Sequence, residues 1–148
     1  MTTETLVAHA EVHVPVSPDR AFEYFTAQID RWWKRGTMYW NDRERGERYE
    51  FRDGALREIY PDGEFVVGAI ETWQPGELLV FGWSQSDWGV GSTRVEVRFR
   101  ADADGTRVEI DHSGWEAVAG GEQMSTGYTH GWKEILGWFA AELGPNPL

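Results

Sequence analysis

The chain reads as an α+β fold in which a strongly curved antiparallel sheet of six to seven strands wraps around a long C-terminal helix. Three observations predict this. From Arg48 to Ser113 the apolar period is two, interrupted by turn signals at Asp53-Gly54, Pro61-Asp62-Gly63, Pro75-Gly76 and Asp104-Gly105. From Trp132 onward the period becomes helical: Trp132, Ile135, Leu136, Phe139, Ala140 and Leu143 form one apolar stripe. Between the first strand and the sheet lies only short helical sequence. One apolar sheet face needs cover, and the last helix is the only long element that can supply it.

The elements follow in order. Leu6 to Val14 alternates, with Ala8, Ala10, Val12 and Val14 on one face and His9, Glu11 and His13 on the other. Ser17-Pro18-Asp19 then carries the marks of a helix start: a hydroxyl N-cap, proline at the first helical position, and an acid near the positive end. Phe22, Phe25 and Ile29 recur at helical spacing behind it. The adjacent Trp32 and Trp33, if helical, point about 100° apart, so one is expected under the sheet rim and the other at a cavity mouth. Strands are expected at Arg48 to Arg52, Leu56 to Tyr60, Glu64 to Trp73, Leu78 to Trp83, Arg94 to Arg100 and Arg107 to Ser113. The stretch Ser86 to Ser92 reads as a loop carrying Trp88, and Gly114, Gly120 and Gly121 as a loop before the last helix. Gly144-Pro145 ends that helix.

Composition narrows the function classes. The 148 residues fit one domain, 1–148, of ordinary globular character, 41% hydrophobic and 26% charged. Without cysteine there is no disulfide, zinc–thiolate centre or thiol nucleophile. A formal net charge of -11 would repel nucleic acid and anionic membrane surfaces, which leaves neutral, apolar or basic partners. Neither a basic leader segment nor a membrane-spanning run is seen, so a cytoplasmic location is expected. The basic residues concentrate at Arg31, Lys34, Arg35, Arg43, Arg45 and Arg48, a docking patch or, more commonly, a solvated face.

Nine tryptophans stand out. Indoles carry an N–H that needs a partner when buried, and an excess of them suggests the lining of a cavity. Tyr49, Phe51, Phe81, Trp83, Tyr128 and Trp132 fall on inward faces. Trp32, Trp33 and Met124 flank them, and Trp40 is expected near the mouth. Gly127 and Gly131 leave part of the helix without side-chain bulk. His112 shares a face with Val108 and Ile110; it reads either as a core histidine or as a polar anchor or acid–base group. The facing of Glu58 and Glu71, its possible orienters, stays open. His9 and His13 lie roughly 13 Å apart on a strand, too far to share one ion. No metal or cofactor is expected, and no serine triad, phosphate loop or dinucleotide fingerprint appears.

The stretch Val16-Ser17-Pro18-Asp19-Arg20-Ala21-Phe22, the segment Gly68-Ala69-Ile70-Glu71 through Leu79-Val80-Phe81-Gly82-Trp83, and Asp111-His112-Ser113-Gly114-Trp115 together resemble the START-like helix-grip superfamily (SRPBCC). Within it the chain looks most like relatives of the activator of heat-shock-protein-90 ATPase. The resemblance implies a helix-grip fold with a deep cavity between sheet and terminal helix. Its members include ligand carriers, cyclases and co-chaperone domains, so three functions stand side by side. The first is binding of a small hydrophobic or amphipathic molecule without catalysis. The second is an interaction module that regulates a chaperone ATPase, with a chaperone or a second copy as partner. The third, a polyketide cyclase or dehydratase, needs an inward acid–base pair, of which only His112 is in view.

Overall fold

A computed structural model describes residues 7–88 and 91–144; Leu6, Gly89, Val90 and Pro145 lie outside the described residues. Seven strands form one antiparallel sheet: β1 Ala8–Val14, β2 Arg48–Arg52, β3 Ala55–Tyr60, β4 Gly63–Gln74, β5 Leu78–Trp83, β6 Thr93–Asp102 and β7 Gly105–Ser113. Their order across the sheet is β1-β7-β6-β5-β4-β3-β2. Helices α1 Pro18–Ala27 and α2 Ile29–Trp32 follow β1, and α3 Gly121–Leu143 closes the fold. The arrangement is the helix grip: a curled half-barrel with α3 lying along β1.

Local chemistry explains most boundaries. Ser17 caps α1 by accepting from the Arg20 amide at 3.3 Å, with Pro18 in the first turn. The Asp53-Gly54 hairpin has both residues at positive φ (49° and 75°), as a type I′ turn demands. In the turn Gln74–Glu77, Gly76 (φ 77°) follows Pro75, and the Glu77 amide donates to the Gln74 carbonyl at 2.9 Å, a type II turn. Helix α3 ends where the Gly144 amide donates to the Ala140 carbonyl at 2.8 Å.

The β6–β7 turn differs from the sequence expectation. Asp102 pairs with Gly105, so the turn is Ala103-Asp104, with Ala103 at φ 54°. Gly105 is a glycine for another reason: a Cβ there would lie 2.1 Å from the Val14 carbonyl oxygen. Bulges interrupt the register between Leu56 and Arg57 and between Ile70 and Thr72, and such bulges bend a sheet. Beside the second of them, a Cβ on Gly68 would sit 1.9 Å from the Gly82 carbonyl oxygen. The two strands touch backbone to backbone there.

The core lies between the concave face and the helices. Trp132, Ile135, Leu136, Phe139 and Leu143 are its contribution from α3, as the stripe predicts. Val95, Val97 and Phe99 from β6 and Val108 and Ile110 from β7 face them across the interior. The wet faces of β1, β6 and β7 carry a lattice of ion pairs, including Arg107 with Glu11 at 2.7 Å and Arg98 with Asp111 at 3.1 Å. The basic residues near the second strand are likewise paired at the surface: Arg45 with Asp62 at 2.6 Å and Arg48 with Glu50 at 3.4 Å.

Candidate functional site

Between β5 and the first half of α3 the fold leaves a pocket of about 300 Å³. Helix α3 supplies Met124, Gly127, Tyr128, Gly131, Trp132 and Ile135. Strand β5 supplies Trp83, and the segment after it Gln85, Asp87 and Trp88. The connection from α2 to β2 supplies Trp33, Met38 and Tyr39. The two helical glycines play different parts. A Cβ on Gly127 would meet nothing within 4 Å, so this position opens on the void. One on Gly131 would meet the Tyr39 ring at 2.9 Å, so there the missing side chain lets Tyr39 pack against the helix.

Of the residues singled out from sequence, Trp33, Trp83, Met124, Tyr128 and Trp132 line this pocket, while Trp32, Tyr49, Phe51, Phe81 and His112 do not. Trp32 packs on Phe25 and Phe139, at 4.9 and 5.2 Å between ring centroids, and its Nε1–H donates to the Tyr24 carbonyl at 3.2 Å. Phe51 and Phe81 meet each other at 5.4 Å beside the exposed Trp73, away from the pocket lining. Tyr49 lies behind the wall, between Trp33 and Trp40. Trp40 therefore supports the site from below and does not rim its mouth.

One of the adjacent pair packs in the core (Trp32) and the other lines the pocket (Trp33), but the expected helical divergence between them does not hold. Both are buried and their rings lie 5.6 Å apart. Helix α2 ends at Trp32, and Trp33 is extended (φ −83°, ψ 108°), so the helical step between neighbours does not apply. Trp33 consequently turns back to join Trp83 and Trp132, at 6.1 and 5.9 Å. Trp115, expected at a loop, is likewise fully buried, 4.3 Å from His112 and 4.8 Å from Tyr128.

His112 is fully buried behind the pocket wall. The indole N–H of Trp132 donates to its Nδ1 at 3.0 Å. That fixes the proton on Nε2, which donates to Thr93 Oγ1 at 2.6 Å, and Thr93 in turn donates to the Trp83 carbonyl at 2.8 Å. Burial pushes the imidazole pKa down to about 3, so the ring stays neutral. Both nitrogens are occupied, and His112 neither reaches the pocket nor has a free site for proton transfer. It is a core histidine that holds Trp132, a wall residue, in place.

Glu71 is exposed and pairs with Arg94 at 3.3 Å. Glu58 is the opposite case, fully buried and without a cationic partner among the described residues. Its carboxylate accepts from the Asn41 and Asp42 amides at 2.8 and 2.9 Å and from the Tyr49 and Tyr60 hydroxyls at 2.8 and 2.7 Å. Burial drives the Tyr49 phenol well up and the Tyr60 phenol up to about 12, which keeps both as donors. Asn41 then uses its side-chain oxygen to accept from the Ser86 amide at 2.9 Å and hydroxyl at 3.0 Å. The two segments bordering the pocket, 38–42 and 85–88, are tied together through this one asparagine.

Inside the pocket, the Tyr128 hydroxyl receives Trp83 Nε1–H at 3.2 Å and the Gln85 amide at 3.0 Å. Burial raises its pKa to about 12, so it keeps its proton. Sequence reasoning missed Met38, Tyr39 and Gln85, which sit in irregular segments, and Asp87, in a single 3-10 turn at Ser86–Trp88, where no period assigns a facing. On the far side of the sheet, His9, Glu11 and Glu109 bring possible ligand atoms within 4.8 Å of one another. His9 is instead engaged with Asp111 at 2.7 Å, and that hydrogen bond raises its pKa toward the imidazolium form.

Among solved structures, the fold is similar to CalU16 from Micromonospora echinospora (18% identity, 98% of this chain and 88% of that one, TM-score 0.62). Mll3558 from Rhizobium loti is also similar (22%, 96% and 99%, TM-score 0.69), as is the Aha1 dimer from Colwellia psychrerythraea (13%, 93% and 95%, TM-score 0.66). DynU16, from the dynemicin biosynthetic locus, matches at 20% identity with TM-score 0.62, and this chain spans 48% of its length. At these identities the likeness shows the fold. No curated protein matches the sequence significantly. No helix among the described residues is long and apolar enough to cross a membrane. Residues 15–144 match the family model described as "Activator of Hsp90 ATPase homolog 1-like protein", and the chain belongs to that family.

Proposed function

We propose that the protein binds a small hydrophobic or amphipathic molecule in the pocket between β5 and α3, acting in the cytoplasm as one domain spanning residues 1–148. The observation that carries this reading is the wall itself: about 300 Å³ of space enclosed largely by aromatic side chains, with a few polar atoms from Tyr128, Gln85 and Asp87. Sites for small molecules have this makeup of apolar wall and sparse polar groups. Native mass spectrometry of protein purified from its own host should reveal a bound small mass. Gly127→Leu should abolish that mass by filling the void. Because no atom stands within 4 Å of the new Cβ and leucine favours a helix over glycine, stability should stay level or rise by about 0.5–1 kcal/mol. Retention of the bound mass by a folded Gly127→Leu protein would place the ligand elsewhere.

The family description and the Aha1 dimer among the similar structures support a second reading, regulation of a heat-shock chaperone ATPase by a module that can pair with itself. An unchanged ATPase rate at saturating concentration would exclude it. The cyclase or dehydratase reading draws no support, since both nitrogens of His112 are engaged and Glu58 is enclosed by four donors away from the pocket lining.

A further inference from the structure

Resting on the ligand-binding reading above, we propose that the pocket's occupant is a hydrophobic cation: an organic ammonium whose charge is held by ring faces and by Asp87. Four indoles (Trp33, Trp83, Trp88 and Trp132) and two phenols (Tyr39 and Tyr128) border the void. Aromatic rings carry a negative face, and indole offers the strongest of them to an ammonium. The one formally charged side chain among the described lining residues is the carboxylate of Asp87; no lysine, arginine or histidine is among them. A hydrophobic carboxylate entering here would meet no counter-ion and one like charge.

The field of Asp87 reaches the pocket interior. Its charge acts on the Tyr128 phenol, adding to the effect of burial in holding the proton on that oxygen. The protein already seats its own cations on aromatic faces close by. Lys34, next in sequence to Trp33, holds its Nζ 5.6 Å from the Trp138 ring centroid, and the Arg45 guanidinium lies 4.4 Å from that of Tyr60. The net charge of -11 draws cations toward the whole molecule and depletes anions around it.

The test is a pair of probes that differ only in charge, benzyltrimethylammonium and its carbon isostere neopentylbenzene, measured by equilibrium dialysis on the full chain. The ammonium should bind about tenfold or more tightly than the neutral isostere in low salt, the range expected for a cation desolvated against several rings. Asp87→Asn, at an exposed position that leaves the core untouched, should weaken the ammonium severalfold and leave the neutral isostere unchanged. Equal or tighter binding of neopentylbenzene would overturn the cation proposal while sustaining a plain hydrophobic site. Preference for the ammonium that Asp87→Asn does not reduce would overturn the role of Asp87. Failure of both probes to bind would overturn the proposal together with the ligand-binding reading beneath it.

Discussion

Glu58→Leu is expected to cost at least about 3 kcal/mol of folding stability, read as a lowered urea midpoint, because four donors lose their acceptor at once. Two of them are hydroxyls, which can rotate toward other partners. The other two are the backbone amides of Asn41 and Asp42, which cannot turn away. These four donors, and no counter-ion among the described residues, satisfy the buried side chain. Glu58→Gln is the informative comparison. It retains one acceptor oxygen and sets an amide nitrogen against a fixed N–H, so an intermediate loss of about 1–2 kcal/mol is expected. A Glu58→Leu protein with an unchanged midpoint would mean that the four hydrogen bonds contribute nothing net. The effect should extend to the proposed ligand binding, since Asn41 holds Ser86 and the neighbouring Tyr39 and Gln85 are wall residues.

The second large effect is acid sensitivity from His112. In the unfolded chain the imidazole titrates near 6.5, and in the folded protein near 3. Between those values the unfolded state holds a proton that the native state excludes. Stability therefore rises with pH across this window and is lost as pH falls from 6.5 toward 3, by about 1.4 kcal/mol per pH unit for the one proton. Above pH 6.5 the group is neutral in both states and contributes no slope. His112→Gln offers an oxygen to Trp132 and an N–H to Thr93 without titrating, so its urea midpoint should depend less steeply on pH by that one proton. Identical slopes for the two proteins would refute the assignment. Imidazole 15N shifts give an independent check: the Nε2–H tautomer should persist to about pH 3.

Most of the architecture was legible because alternation and helical spacing are properties of the chain itself. Val95, Val97 and Phe99 announce a strand with one dry face, and Trp132 through Leu143 announce a helix with one dry stripe. What period cannot supply is the direction of a residue outside regular structure. Trp33 follows directly on a helix, and its extended backbone means that helical geometry does not set its facing. Met38, Tyr39, Gln85 and Asp87 reach the pocket because Glu58 and Asn41 fold their segments over it, and that network links residues far apart in sequence. The parity of His112 correctly put it inward. Only the structure shows that inward means behind the wall, with Trp132 between it and the void.

Trp33, Trp83 and Trp132 lie between 5.5 and 6.1 Å from one another, centroid to centroid. At such spacings electronic excitation does not stay on the ring that absorbed it; the transition dipoles couple, and energy migrates through the group faster than it is emitted. Optically the three indoles are one chromophore that happens to form the wall of the pocket. A guest that quenches or perturbs any one of them alters the emission and near-ultraviolet dichroism of all three, so the protein carries a built-in optical sensor of its own occupancy.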